Sequence, residues 1–293
     1  VILRRSFQAM GTDVELFLVA EPGPLSEALL DGAEQEFERL EALLTRFRPE
    51  SELSTLNRLG RIHASDDLLL VTELALEARE RTGGRFDPTV HDALVAAGYD
   101  RTFAEIAPEG RSTPAPGGGA CGGAVTVDRE HGTIELEHGV HLDFGGIGKG
   151  YAVDRAATIL SEAGAALVDA GGDIATIGRP DALGWRIGVE TADSTITLML
   201  EDGALATTGR DRRRWRRDGE EHHHVIDPST GRPAATDLLR VTVVASTAVE
   251  AEILAKALFL AGQHQAVAEA ETLGLQSILV TDDGRTVFAG GIA

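Results

Sequence analysis

Residues 143–154 read DFGGIGKGYAVD, and the fold depends on what that stretch is. A P-loop needs Gly, four residues, then Gly-Lys-Ser/Thr. Here Gly150 follows Gly148-Lys149, and Asp143 stands where the first glycine belongs. The dinucleotide pattern Gly-x-Gly-x-x-Gly also fails, because Tyr151 takes its third glycine position after Gly146-Ile147-Gly148. What remains is physical. Gly145, Gly146, Gly148 and Gly150 let a ligand approach the backbone closely. Lys149 and the start of a following helix supply positive potential and free N–H groups. The stretch reads either as a phosphate-accepting turn or as a tight strand–helix turn with a surface lysine.

Working outward, periodicity predicts a strand over 140–144, a helix over 149–163 and a strand over 166–170. A strand pair follows at 184–190 and 194–200, then a histidine-rich strand at 221–226 and a turn from Asp227 to Gly231. A strand at 239–245, helices at 247–261 and 264–273, and strands at 276–281 and 285–289 close the chain. Towards the N-terminus, residues 6–20 end in Val14–Val19, which reads as a mostly buried strand. Leu30, Ala33, Phe37, Leu40, Leu44 and Phe47 mark one face of a helix stopped by Pro49. Asp66 or Asp67 caps a second helix that closes at Gly83-Gly84. Val125–Val127 and Ile134–Leu136 read as a hairpin. Residues 109–123 are rich in Pro and Gly and read as an exposed loop. Without a strict β-α repeat, the fold class is α+β (mixed α/β) rather than a doubly wound sheet.

The 293 residues, 43% of them hydrophobic, can bury one large domain or two packed lobes. A formal charge of −20 repels phosphate backbones and argues against nucleic acid as a partner. The only lysines are Lys149 and Lys256, so a lysine at a motif position stands out. The single cysteine, Cys121, allows no disulfide within the chain and no cysteine-based metal cluster. No run of apolar residues is long enough to span a membrane. Val1 to Arg5 is too short for a signal peptide, and a cytoplasmic location is expected.

Other stretches carry chemistry-bearing residues. Gly171-Gly172-Asp173 follows an apolar strand; it is either a β-turn with Asp as turn former or an acid placed for ribose hydroxyls or a ring N–H. In HHHVIDPSTG (222–231), His222 and His224 would share a strand face with His223 turned away. That segment is a polar edge strand, or it presents His224 to a ligand as base or phosphate partner. A zinc site there would need a third ligand, and none has motif spacing. The arginine run from Arg210 to Arg217 around Trp215 is a solvated charged strand or loop, or a contact for an anionic ligand or partner.

Together these pieces resemble the FAD:protein FMN transferases, the ApbE-type flavin transferases. The resemblance runs from about Met10 to the end of the chain, through Met10-Gly11-Thr12, Ser51 to Asn57, Gly83 to Val90, Asp143 to Asp154, Gly171-Gly172-Asp173, Thr207-Thr208-Gly209, His224 to Gly231 and Ala251 to Gly262. It implies a T-fold-related single domain of two packed lobes. It also implies transfer of FMN from FAD to a Ser or Thr of an acceptor protein. The FAD-binding residues it implies are Met10, Gly11, Thr12, Asp87, Gly145, Gly146, Lys149, Gly150, Asp154, Gly171, Gly172, Asp173, Thr208, Gly209 and His224. His224, Lys149 and Asp227 are the implied catalytic groups. Phosphoryl transfer needs mainly charge balance and alignment, which suits such a set.

The family's magnesium would be held by a backbone carbonyl, here Gly148, and by an Asp and a Thr on the late helix. This chain has Glu252 and Lys256 at those two places. An ammonium ~4 Å from Mg²⁺ costs roughly 8 kcal/mol at an effective dielectric of 20. Lys256 and magnesium are therefore not expected together. Lys256 either replaces the metal beside the pyrophosphate or forms an i, i+4 pair with Glu252. Stable FAD binding without turnover, and FAD pyrophosphatase activity, are the competing functions.

Overall fold

The computed structural model describes residues 1–111 and 121–292. The backbone divides into two compact units: Val1–Glu41, Ile147–Thr208 and Asp237–Ala293 form one, and Ala42–Gly146 with Gly209–Thr236 form the other.

The first unit is built on an eight-stranded sheet, in the order Ile2–Ala9, Thr12–Val19, Ala166–Ala170, Asp173–Ile177, Gly203–Gly209, Leu238–Ala245, Ser277–Thr281, Thr286–Ala289. The strand expected at Val14–Val19 is present within Thr12–Val19, and Ile2–Ala9, which was not expected, pairs with it in a hairpin. The turn is Met10-Gly11, both with positive φ (52° and 70°), the geometry that matches strand twist in two-residue hairpins. Ile2–Ala9 alternates exposed and half-buried residues along most of its length, so it lacks the apolar run that marked its partner.

One face of this sheet is covered by the hairpin Trp185–Glu190 and Thr195–Leu200; Trp185, Ile187 and Leu200 pack with Leu167, Ile174, Leu205 and Ile278. Strand alternation turns Ala166, Val168 and Ala170 away from that cluster, and all three are fully buried. The helices Gly148–Leu160 and Ala248–Ala261 pack against the sheet and against each other. Helix Pro24–Leu44 buries Leu30, Ala33, Phe37, Leu40 and Leu44 as its spacing demanded, but ends before Phe47.

The second unit contains helices Glu52–Leu59, Asp66–Arg81 and His91–Ala96. Asp66–Arg81 is capped by Ser65, whose Oγ accepts from the Leu68 N–H, rather than by an aspartate. Val125–Asp128 and Thr133–Leu136 pair as expected, with Arg61–His63 added on the far edge. Residues 140–144 are not a strand. The Asn57 side chain donates to the Leu142 carbonyl (2.8 Å) and accepts from its N–H (2.7 Å), taking both groups a strand neighbour would use.

The arginine run contains a strand, Arg214–Arg217, paired with Glu220–His223 and with Glu109–Gly110. Its alternation buries Trp215 and Arg217, so it is not a solvated segment throughout. Trp215 lies in a cluster with Leu94, Tyr99 and Ile226. Of the loop expected at 109–123, Glu109–Gly110 is thus a short strand, and 112–120 lie outside the described residues. Among the described residues no helix is long and apolar enough to cross a membrane.

Candidate active site

Sheet register brings several of the singled-out residues in the first unit to one end of the sheet. Val14 pairs with Ala170, so the Met10-Gly11 turn and Thr12 lie beside the Gly171-Gly172 turn. Gly171 and Gly172 have φ of 66° and 97°. A Cβ on Gly171 would meet the Thr12 Oγ1 at 2.2 Å, so only glycine permits this approach. Ala170 pairs with Asp173, and Leu205 with Ile174, which carries Thr207 and Thr208 to the same end. Thr208 is buried, and the Thr207 hydroxyl bonds that of Thr242 at 2.8 Å. Met10 is one of two non-glycine residues with positive φ among the described residues, the kind of strain that gathers where a ligand is held.

The helix Gly148–Leu160 places Lys149 at this end. Its Nζ forms an ion pair with the Asp173 carboxylate and lies 3.7 Å from Glu252 Oε1. The lysine side chain is 17% exposed, and those of Asp173 and Glu252 are 3% and 5% exposed. Two buried carboxylates therefore share one fixed ammonium, an arrangement that tolerates loss of the cation poorly. The Gly150 N–H donates to Glu252 Oε2 (3.1 Å). A Cβ on Gly150 would come within 2.8 Å of the Ala248 carbonyl and the Val249 nitrogen. The glycine is what lets the two helices meet closely enough for that bond.

Asp154 has a different partner from the ligand that the resemblance implies. Its two oxygens accept from the N–H groups of Ala248 (2.7 Å) and Val249 (3.0 Å), capping the helix that carries Glu252 and Lys256. Burial raises its pKa above the ordinary aspartate value; the two backbone bonds oppose that shift and Glu252 adds to it.

Magnesium does not fit this donor set. Glu252 Oε2 is engaged by a backbone N–H, Oε1 faces the Lys149 ammonium, and one helical turn on is Lys256, which offers no oxygen. A hard octahedral cation needs oxygen ligands that are free to turn to it.

The second unit carries Asp87, Gly145, Gly146, Gly209, His224 and Asp227. Asp87 Oδ1 accepts from the Thr89 N–H and hydroxyl (2.8 and 2.7 Å), and its Oδ2 is 3.3 Å from Arg79 Nε. Gly145 donates its N–H to Asp143 Oδ1 (2.8 Å), and Asp143 Oδ2 is 2.6 Å from Arg46 Nε. The strand Glu220–His223 stops before His224, so His222 and His224 do not share one strand as expected. His223 is buried, with Nε2 3.1 Å from the Ala234 carbonyl, and burial lowers its pKa. Asp227 forms the expected turn; its Oδ1 accepts from the Ser229 N–H and hydroxyl. Arg46, which holds the start of the glycine motif, escaped sequence reasoning; it sits between Thr45 and Phe47 near the end of a helical stretch, with no motif spacing to mark it.

The sequence model of the ApbE family matches residues 10–279. An FAD:protein FMN transferase of Vibrio cholerae is 30% identical over 305 aligned residues, covering 96% of this chain and 88% of that protein. Another from Treponema pallidum is 29% identical and covers 86% of this chain and 76% of its own. Among solved structures, the ApbE protein of Thermotoga maritima superposes with a TM-score of 0.87 at 26% identity, covering 99% of this chain and 97% of that one. The flavinyl transferase ApbE of Pseudomonas stutzeri gives 0.85 at 25% identity, over 99% and 95%.

Proposed function

This chain belongs to the ApbE family, and from that premise we propose that it moves FMN from FAD onto a serine or threonine of an acceptor protein. The observation that supports this most is the gathering of the Met10-Gly11 and Gly171-Gly172 turns, Thr208 and the Lys149 ammonium at one end of a sheet. Glycine turns admit a large flat ligand close to the backbone, and a fixed ammonium meets a pyrophosphate.

In the reaction, the acceptor hydroxyl oxygen attacks the phosphorus on the FMN side of the pyrophosphate. A new P–O bond forms, the bond to the bridging oxygen breaks, and AMP departs with that oxygen. The hydroxyl proton passes to His224 or a nearby acid. Lys149 offsets charge on the phosphates as the bond breaks. No step is routed through magnesium. Gly150 and Glu252 act by fixing the helix start that presents Lys149, and Asp154 caps the late helix that carries Glu252.

Incubating the protein with FAD and a threonine-bearing acceptor in EDTA tests this. Covalent flavin on the acceptor with one AMP released per flavin is expected. Free FMN and AMP without labelled acceptor would make the chain a pyrophosphatase instead. The altered metal residues favour a second reading, FAD held without turnover, for which intact FAD after long incubation is the signature.

A further inference from the structure

In the second unit, two histidines face one carboxylate. His91 Nδ1 lies 2.8 Å from Asp92 Oδ1, and His141 Nδ1 lies 2.9 Å from the same oxygen and 3.0 Å from Oδ2. The three donor atoms lie within 4.8 Å of one another. The ring centroids are 5.5 Å apart. Side-chain exposures of 21%, 18% and 34% leave the cluster reachable from solvent. We infer that His91, Asp92 and His141 form a binding site for a divalent transition-metal ion of the zinc type, with an open coordination position towards an adjacent cavity.

Geometry and donor chemistry carry this. Zinc bonds to imidazole nitrogen and carboxylate oxygen are about 2.0–2.2 Å, so neighbouring tetrahedral ligands stand roughly 3.3 Å apart. The two imidazole–carboxylate separations are some tenths of an ångström shorter, and all three donors lie within 4.8 Å, a spread that small side-chain rotations bring to a common ion. Each imidazole now meets the carboxylate as an Nδ1–H donor. Moving that proton to Nε2 exposes the Nδ1 lone pair to the metal with no change in ring charge. Two imidazoles and a carboxylate favour zinc, cobalt or nickel over magnesium or calcium.

The ligands are also held in place. His91 and Asp92 are adjacent in one helix. His141 precedes Leu142, which Asn57 grips through two hydrogen bonds, and Asp143, which Arg46 holds. Preorganised ligands lose less entropy on binding. A cavity of about 340 Å³ borders both histidines, with Ser54, Asn57, Arg46 and Arg58 among its other walls. The Arg46 charge is matched by Asp143, while Arg58 suits an anionic or water oxygen at the open position. The bound ion would tie helix His91–Ala96 to the segment that leads into Gly145-Gly146.

The test is titration of the chelator-stripped full chain with zinc chloride, and with cobalt chloride for its visible spectrum. One tight equivalent of zinc and an intense tetrahedral cobalt spectrum are expected. His91→Ala and His141→Ala should each weaken zinc at least tenfold with the circular dichroism spectrum unchanged. His222→Ala, which removes a neighbour in the run of three histidines, and Glu252→Gln should leave that affinity in place. Equal affinity in parent and His141→Ala, or loss of binding in His222→Ala alone, overturns the inference. Should a histidine variant unfold, a weak octahedral cobalt spectrum in the parent overturns it equally. Neither outcome bears on flavin transfer, which the inference does not use.

Discussion

The Lys149 cluster and the His141 cluster differ in where their positive charge comes from. In the first, two buried carboxylates, Asp173 and Glu252, surround an ammonium built into the chain. In the second, two neutral-capable imidazoles surround a single carboxylate, and the charge would arrive as an ion. The contrast shows what sets a metal preference. Carboxylates already matched by a lysine leave little for a hard cation. Imidazole nitrogens beside one carboxylate keep lone pairs for a borderline one.

The strongest way to break the first half of that contrast is Lys149→Ala. It leaves Asp173 and Glu252 without their ammonium, and a loss of about 3–5 kcal/mol in urea unfolding is expected, together with loss of flavin transfer. A variant as stable as the parent would mean that the pair is not buried as described. Gly150→Ala comes next. A methyl group against the Ala248 and Val249 backbone should destabilise by about 1–3 kcal/mol, because backbone cannot swing away as a side-chain tip can. Thermal unfolding checks it.

Asp154→Ala sharpens the comparison from the side of the late helix. Removing a cap that takes two N–H groups should cost about 1–2 kcal/mol, read by chemical denaturation. In the second unit, Asn57→Ala frees the Leu142 backbone. It should lower stability by about 1–3 kcal/mol and weaken zinc at His141 in the same titration. The smallest effect is kinetic. Burial, with Asp87, Asp227 and Asp92 nearby, pushes the Cys121 thiol up to about 11. Its thiolate is scarce at pH 8, so disulfide-exchange reagents should label it far more slowly than a free thiol, with the rate still rising above pH 9.

Much of the first unit was legible because its elements announce themselves locally. The helices Gly148–Leu160 and Ala248–Ala261 have apolar periods and clear stops, and the strands at 166–170 and 277–281 are short apolar runs. Ile2–Ala9 was illegible because an edge strand can be polar on alternate residues. The strand expected at 140–144 failed because a side chain 85 residues away supplies its hydrogen bonds. The Lys149–Asp173 pair joins a helix start to the first residue of a strand, and both motifs were singled out in the sequence although neither names the other as its partner. The cluster of His91, Asp92 and His141 could not be read: 49 residues separate Asp92 from His141, and no motif spacing links them. Lys256→Thr bears on what the sequence did reveal, since it restores an oxygen donor beside Glu252. Transfer should then rise with added magnesium, while the parent stays indifferent to it.

On the proposed reading, the glycine turns and Lys149 make a seat for FAD that needs no divalent metal. Titrating FAD into the protein in EDTA and following flavin fluorescence tests it directly. A saturable change at one FAD per chain, reversed by excess AMP, is the predicted result. Flavin emission that matches free FAD at every concentration in EDTA, and changes only once magnesium is added, would contradict it.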